Sequence, residues 1–195
     1  MREIFYEETA TVNNPKKCSR RYNSLKILSI ISYVFAVLNL YLAFAYPVIP
    51  DNILLSVIMA FIPVVFFVIL GILFGKRKNL MYIEYDYTFV TGSIRISKVI
   101  ANLKRKSLFV FEAKEIEQIG MYGSDAYLRY EKTPGIVKKI LTSNETPNEN
   151  KDFYYIVAVI EGEKHLFIIE STKLFISNIL KFANRTILEK EFPKD

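Results

Sequence analysis

The chain has 195 residues, is 51% hydrophobic, and carries 26 Lys and Arg against 20 Asp and Glu, a net charge of +6. It has a single cysteine, Cys18, so an internal disulfide is excluded; with a single histidine, His165, so is a Cys/His zinc site. The modest positive excess lacks the dense basic footprint of a nucleic-acid binder, and no nucleic-acid partner is expected.

Residues 1–26 read as a cytoplasmic basic lead, with six basic and three acidic side chains. Two uncharged runs follow, Ile27–Tyr46 with 11 Leu, Ile, Val or Phe and Ile53–Gly75 with 17. A bilayer core needs about 20 apolar residues as helix. The runs therefore predict a transmembrane hairpin over 27–75, with helices at 27–46 and 53–75. The link Pro47–Asn52 holds two prolines and an Asp-Asn pair, which end one helix and cap the next. Lys16, Lys17, Arg20, Arg21 and Lys26 precede the first run, and Lys76, Arg77 and Lys78 follow the second. Lys and Arg resist translocation, so the expected location is the cell membrane, multi-pass, with both termini cytoplasmic. A cleaved signal peptide fits less well, because the first run exceeds the about 7–15 residues of a signal core. Within the runs, Asn39 is expected to hydrogen-bond the second helix and Pro63 to kink it. Gly71 and Gly75 form a small-xxx-small pair that fits either a helix contact or a helix end.

Residues 76–195 are long enough for one domain with its own core. From residue 80 the period becomes two. Ile83, Tyr85, Tyr87 and Phe89 face one way and Glu84, Asp86 and Thr88 the other, as in a half-buried strand. Thr91-Gly92-Ser93 is a turn. Ile94–Ile100 is a second strand, Ala101–Lys106 a basic turn, and Ser107–Ala113 a third strand. Glu115–Gly123 reads as a short strand or irregular turn. Ser124–Lys132 is ambiguous, with Tyr127, Leu128 and Tyr130 suited to a short strand. Thr142–Asp152 is a polar loop. Phe153–Glu161 and Lys164–Glu170 form a hairpin around Gly162. Thr172–Leu188 has helical spacing, with Ile176, Ile179, Leu180, Ala183 and Ile187 on one face and Ser171 or Thr172 as cap.

This order of antiparallel strands, polar loop, hairpin and closing helix resembles the pleckstrin-homology-like domain of many small bacterial membrane proteins. The expected fold is an α+β membrane protein: a two-helix hairpin, then an antiparallel pleckstrin-homology-like β-sandwich or barrel with a C-terminal helix. The lead, the hairpin and the stretch Tyr85-Asp86-Tyr87-Thr88-Phe89-Val90-Thr91-Gly92-Ser93-Ile94-Arg95-Ile96 are also similar to an uncharacterised family of small two-helix membrane proteins from Clostridia-like bacteria. Lys104-Arg105-Lys106 and Lys114-Glu115-Ile116-Glu117-Gln118-Ile119-Gly120 fit that likeness. It implies architecture and location and brings no catalytic residues.

No phosphate-binding glycine loop, zinc-protease helix or nucleophile elbow occurs. His165 reads as a surface or edge residue, and Glu112, Glu115 and Glu117 as solvated charges near a turn. No catalytic residue, metal or cofactor is expected. Lys98, Lys104, Arg105 and Lys106 form the best candidate surface, a cationic cluster suited to an anionic leaflet. The reading is a non-enzymatic membrane-anchored binding or scaffolding module, with the bilayer, its anionic lipid and a protein at the inner membrane face as partners. The alternatives are a membrane-associated enzyme and a lipid-headgroup sensor.

Overall fold

The computed structural model describes residues 4–45, 53–183 and 187–189. They form two units, one from residues 14–82 and one that joins residues 4–13 to residues 83–189. The link Pro47–Asn52 lies outside the described residues.

The first unit is a helix pair, α1 (Pro15–Ala45) and α2 (Ile53–Lys78). Pro15 sits at the first helical position, and the Asn14 side chain accepts the Lys17 N–H at 3.0 Å, so α1 starts well before its apolar run. The helices pack antiparallel. Ser29 Oγ donates to the Gly71 carbonyl at 2.8 Å, Phe35 stacks on Phe67 at 5.3 Å, and Lys78 lies over the Tyr22 ring. A Cβ on Gly71 would stand 2.8 Å from the Tyr33 ring, so the small pair serves a helix contact and not a helix end. Asn39 corrects the expectation made for it. Its Nδ2 donates to the Phe35 carbonyl of its own helix, one turn back. Among the described residues, one stretch, Pro15–Leu42, is long and apolar enough to cross a membrane, and contains an 18-residue window with a mean hydropathy of 1.9.

The second unit is α+β. In chain order it holds β1 (Phe5–Ala10), β2 (Ile83–Val90), β3 (Ser93–Ile100), β4 (Lys104–Glu112), a 3-10 turn at Ala113–Glu115, β5 (Ile116–Met121), α3 (Asp125–Lys132), β6 (Val137–Ile140), β7 (Asp152–Ile160), β8 (Glu163–Ser171) and α4 (Lys173–Leu180). One sheet runs β1-β2-β3-β4 and is wholly antiparallel; the other runs β5-β7-β8-β6, with β6 parallel to β8. Their inner faces interdigitate. Tyr87, Phe89, Ile94, Ile96 and Phe111 meet Tyr154, Ile156, Phe167 and Ile169, and Phe175, Ile176 and Ile179 of α4 close one end. Each such side chain contributes about 1.5–3 kcal/mol on burial.

Three expectations change. Residues 1–26 are not one lead, because Phe5–Ala10 pair with β2 in full register, from Phe5↔Val90 to Ala10↔Tyr85. Residues 124–132, ambiguous in sequence and suited to a short strand, instead form α3, capped where Ser124 Oγ accepts the Tyr127 N–H at 3.2 Å. Helix α3 lays Ala126 and Tyr127 on Tyr155, Val157, Leu166 and Ile168, the outer face of the second sheet. Buried on both faces, β7 and β8 read as apolar runs without clean alternation. Finally, α4 ends at Leu180 and not at 188, and Leu188 pairs with Ile119 of β5.

Candidate functional site

The basic residues come first. Lys104, Arg105 and Lys106 are the start of β4 and not a turn: they pair with Ile100, Val99 and Lys98. The turn itself is residues 101–103, where Ala101 and Asn102 take positive φ. Strand alternation puts Arg105 on the opposite face from Lys104 and Lys106. Arg105 is engaged with carboxylates, Nη2 at 2.7 Å from Asp86 Oδ2 and Nη1 at 3.4 Å from Glu7 Oε1. Asp86, only 3% exposed, also accepts the Thr9 hydroxyl at 2.6 Å. Glu84 is buried as well, and burial raises its carboxyl above the ordinary value. The polar side of β2 is therefore not solvated as its alternation implies: Arg105 reaches across it to Asp86, beside Thr9 and Glu7 of β1. Lys98, Lys104 and Lys106 have no carboxylate partner among the described residues.

The acidic residues do not converge. Glu112 pairs with Lys114 at 2.6 Å, Glu117 pairs with Lys164 at 2.5 Å, and Glu115 accepts the Glu112 N–H at 2.7 Å in a local cap. His165 is not a surface residue. It is 9% exposed on β8, its ring parallel to Phe167 at 5.6 Å and tilted on Phe109 at 5.7 Å. Its Nε2 is 3.9 Å from Glu163 Oε2, and its Nδ1 has no hydrogen-bond partner among the described residues. It lines an open hollow of about 560 Å³ with Leu108, Phe109, Ile160 and Glu163, which Glu112, Glu115 and Glu117 do not reach.

A denser polar arrangement joins the N-terminal strand to the domain. Glu170 is fully buried. One of its oxygens accepts Thr142 Oγ1 at 2.7 Å and Asn144 Nδ2 at 2.8 Å; the other accepts the Asn148 N–H at 2.9 Å and Asn148 Nδ2 at 2.8 Å. So held, the polar loop grips the segment after β1. Asn144 Nδ2 and Asn148 Nδ2 both donate to the Thr11 carbonyl, and Asn13 bonds Asn144 and Thr146. Glu8 accepts the Thr172 N–H and hydroxyl at 3.0 Å and pairs with Lys151 at 3.0 Å. Lys151 also donates to the Thr9 carbonyl at 2.6 Å.

The outer edge of β5 carries the last described residues. The Ile119 N–H donates to the Ile187 carbonyl at 2.9 Å, and the Glu189 N–H donates back to Ile119 at 3.0 Å. Glu189 is 8% exposed, with the Ser124 hydroxyl 3.0 Å and the Tyr155 hydroxyl 3.4 Å from its Oε2. Burial, and then the Glu189 charge, raise the Tyr155 phenol. Beside it, burial pushes Tyr127 up to about 12, in a cluster where its hydroxyl meets Glu131 and Glu131 pairs with Lys138.

The model of a family described as Bacterial PH-like domain (DUF6106) matches residues 16–189. The chain belongs to that family. No curated protein and no solved structure matches it. In this PH-like chain the match spans the helix pair and seven of the eight strands, and starts after β1. The seat of Glu189 beside β5 and the Glu170 knot both escaped the sequence reading. The visible signals were Asn144 and Asn148 in the polar loop and the small residue Gly120 within a strand.

Proposed function

We propose that the chain is a non-enzymatic, membrane-anchored binding or scaffolding module whose α1 and α2 cross the bilayer as a hairpin, with both termini and the PH-like unit in the cytoplasm. One observation carries this reading: β1 precedes the helix pair, β2 follows it, and the two form one antiparallel ladder. A ladder cannot span two compartments, so the chain between Asn13 and Ile83 must cross an even number of times. With α1 as one crossing, the uncharged run Ile53–Gly75 in α2 supplies the return. Basic residues at both outer ends of the pair support the cytoplasmic side. Lys98, Lys104 and Lys106, free of carboxylate partners among the described residues, take the anionic leaflet. Arg105 is committed to binding β1 and β2 together. The dispersal of Glu112, Glu115, Glu117 and His165 supports binding over catalysis, and the partner is a protein at the inner membrane face. Cys18, the only thiol, tests the topology. A membrane-impermeant maleimide should label it only after cells are opened; equal labelling of intact cells would overturn the orientation.

A further inference from the structure

Both connections to the helix pair leave the first sheet at the same end. Residues 11–14 join β1 to α1, and residues 79–82 join α2 to β2. Four extended residues span at most about 14 Å. Ala10 pairs with Tyr85, Tyr85 with Lys98 and Ile83 with Ile100, so the β3–β4 turn at residues 101–103 lies at this end too. In that turn Ala101 and Asn102 take positive φ, and the Leu103 N–H donates to the Ile100 carbonyl at 3.0 Å. Leu103 is 76% exposed, more than any other large hydrophobic side chain among the described residues. Three cations stand beside it on one face of the hairpin: Lys106 is directly opposite Lys98, and Lys104 lies two positions before Lys106. Like charges directly opposite each other are unfavourable, and no carboxylate answers these among the described residues. Lysines that only guard a strand edge need no exposed leucine at its tip.

We propose that the β3–β4 turn is a membrane anchor: Leu103 enters the acyl boundary of the cytoplasmic leaflet while Lys98, Lys104 and Lys106 hold anionic lipid phosphates beside it, which fixes the PH-like unit in one orientation on the bilayer. The inference rests on the topology proposed above and goes beyond surface charge, since it assigns an apolar contact to a named side chain. Chain length and charge choose the occupant. The two short connections carry this end of the sheet towards the bilayer. The inner leaflet then supplies the anions that the lysines lack and the apolar layer that Leu103 lacks. Interfacial segments bind by this same combination of apolar burial and attraction to anionic lipid.

The chain has no tryptophan, so Leu103→Trp gives a single reporter in the full chain reconstituted into vesicles. Phe5→Trp is the reference, since Phe5 pairs with Val90 at the opposite end of the same strands and is exposed. Depth is read by two quenchers, brominated acyl chains in the bilayer and acrylamide in water on both sides. In vesicles of phosphatidylglycerol and phosphatidylcholine, Leu103→Trp should emit at shorter wavelength and be quenched by the brominated chains, and Phe5→Trp should be quenched by acrylamide. In phosphatidylcholine alone, or with Lys98, Lys104 and Lys106 changed to Ala, the reporter at 103 should lose its protection from acrylamide. Acrylamide quenching at 103 equal to that at 5 in the acidic vesicles would overturn the anchor and leave the turn to a protein surface. Insertion that ignores both lipid charge and the lysines would overturn their part in it. Cys18 separates this inference from the topology. With Cys18 protected in intact cells and residue 103 in water, the topology stands and the anchor fails; with Cys18 labelled in intact cells, both fail.

Discussion

Glu170→Gln probes how the N-terminal strand is held. The change conserves shape and replaces one carboxylate oxygen with an NH2 group. Each Glu170 oxygen faces two donors at 2.7–2.9 Å, so wherever the amide points, a new donor meets two others. Two charge-assisted bonds worth about 1.5–3 kcal/mol each are lost. Part of that loss is recovered when Asn144 or Asn148 turns to water, since both lie in a surface loop. The net cost is about 2–4 kcal/mol, and at about 2–4 °C per kcal/mol for a chain of this size the melting point should fall by about 5–15 °C. The assay is thermal melting of the full chain in micelles, followed by near-UV circular dichroism, which reports the tyrosine-rich core together with Tyr22, Tyr33 and Tyr41 of α1. Proteolysis within residues 4–13 should rise in parallel, because the same loop carries the bonds to Thr11 and Asn13. A loss under about 0.5 kcal/mol would refute the reasoning, since it would mean that the knot is no stronger than its hydration.

Gly120→Ala should cost about 1–3 kcal/mol through collision with Glu189 and Tyr155, seen as a lower urea midpoint, and an unchanged midpoint would contradict the close approach. Residues 83–195 without β1 should aggregate through the bared edge of β2, whereas the same residues with 1–13 joined through a flexible linker should stay monomeric in gel filtration. In that linked form, replacing Lys98, Lys104 and Lys106 with Ala should weaken binding to acidic vesicles about a hundredfold, at about 1 kcal/mol per cation, and raised salt should mimic the change. Burial raises Tyr87, Tyr127 and Tyr155 above their ordinary value of 10.0. Above about pH 10 the unfolded chain therefore binds fewer protons than the folded one, and stability should be steady below that pH and fall above it. Urea midpoints that agree at about pH 8 and 11 would contradict this burial.

The helices were legible because uncharged runs of such length have few other uses. β2 and β3 were legible from alternation, and β7 and β8 from their β-branched content. β1 was not, because its partner lies beyond the whole helix pair, and nothing local in Phe5–Ala10 marks a long-range ladder. Lys104-Arg105-Lys106 read as a turn because three cations in a row repel burial, yet edge strands carry Lys for that very reason. α3 left a signal in Ser124 followed by Asp125, a cap and an acidic first turn. His165 alternates with Phe167 and Ile169, both core residues, so strand phase placed it inside, and proximity to Gly162 misled. The early end of α4 was hidden, since Ile187 keeps helical phase with Ile176 and Leu180 while serving a strand.

The β1–β2 ladder joins residues that flank the helix pair in sequence. In a Cys18→Ser background, Phe5→Cys with Val90→Cys puts two thiols on directly paired residues, and such pairs lie about 4.5–5.5 Å apart at Cα, within disulfide range. Treating intact cells with a membrane-permeant oxidant and mapping the peptides by mass spectrometry should give an intramolecular link in most chains. Two thiols that each react with a permeant maleimide but never join within one chain would contradict the shared sheet, and with it the hairpin.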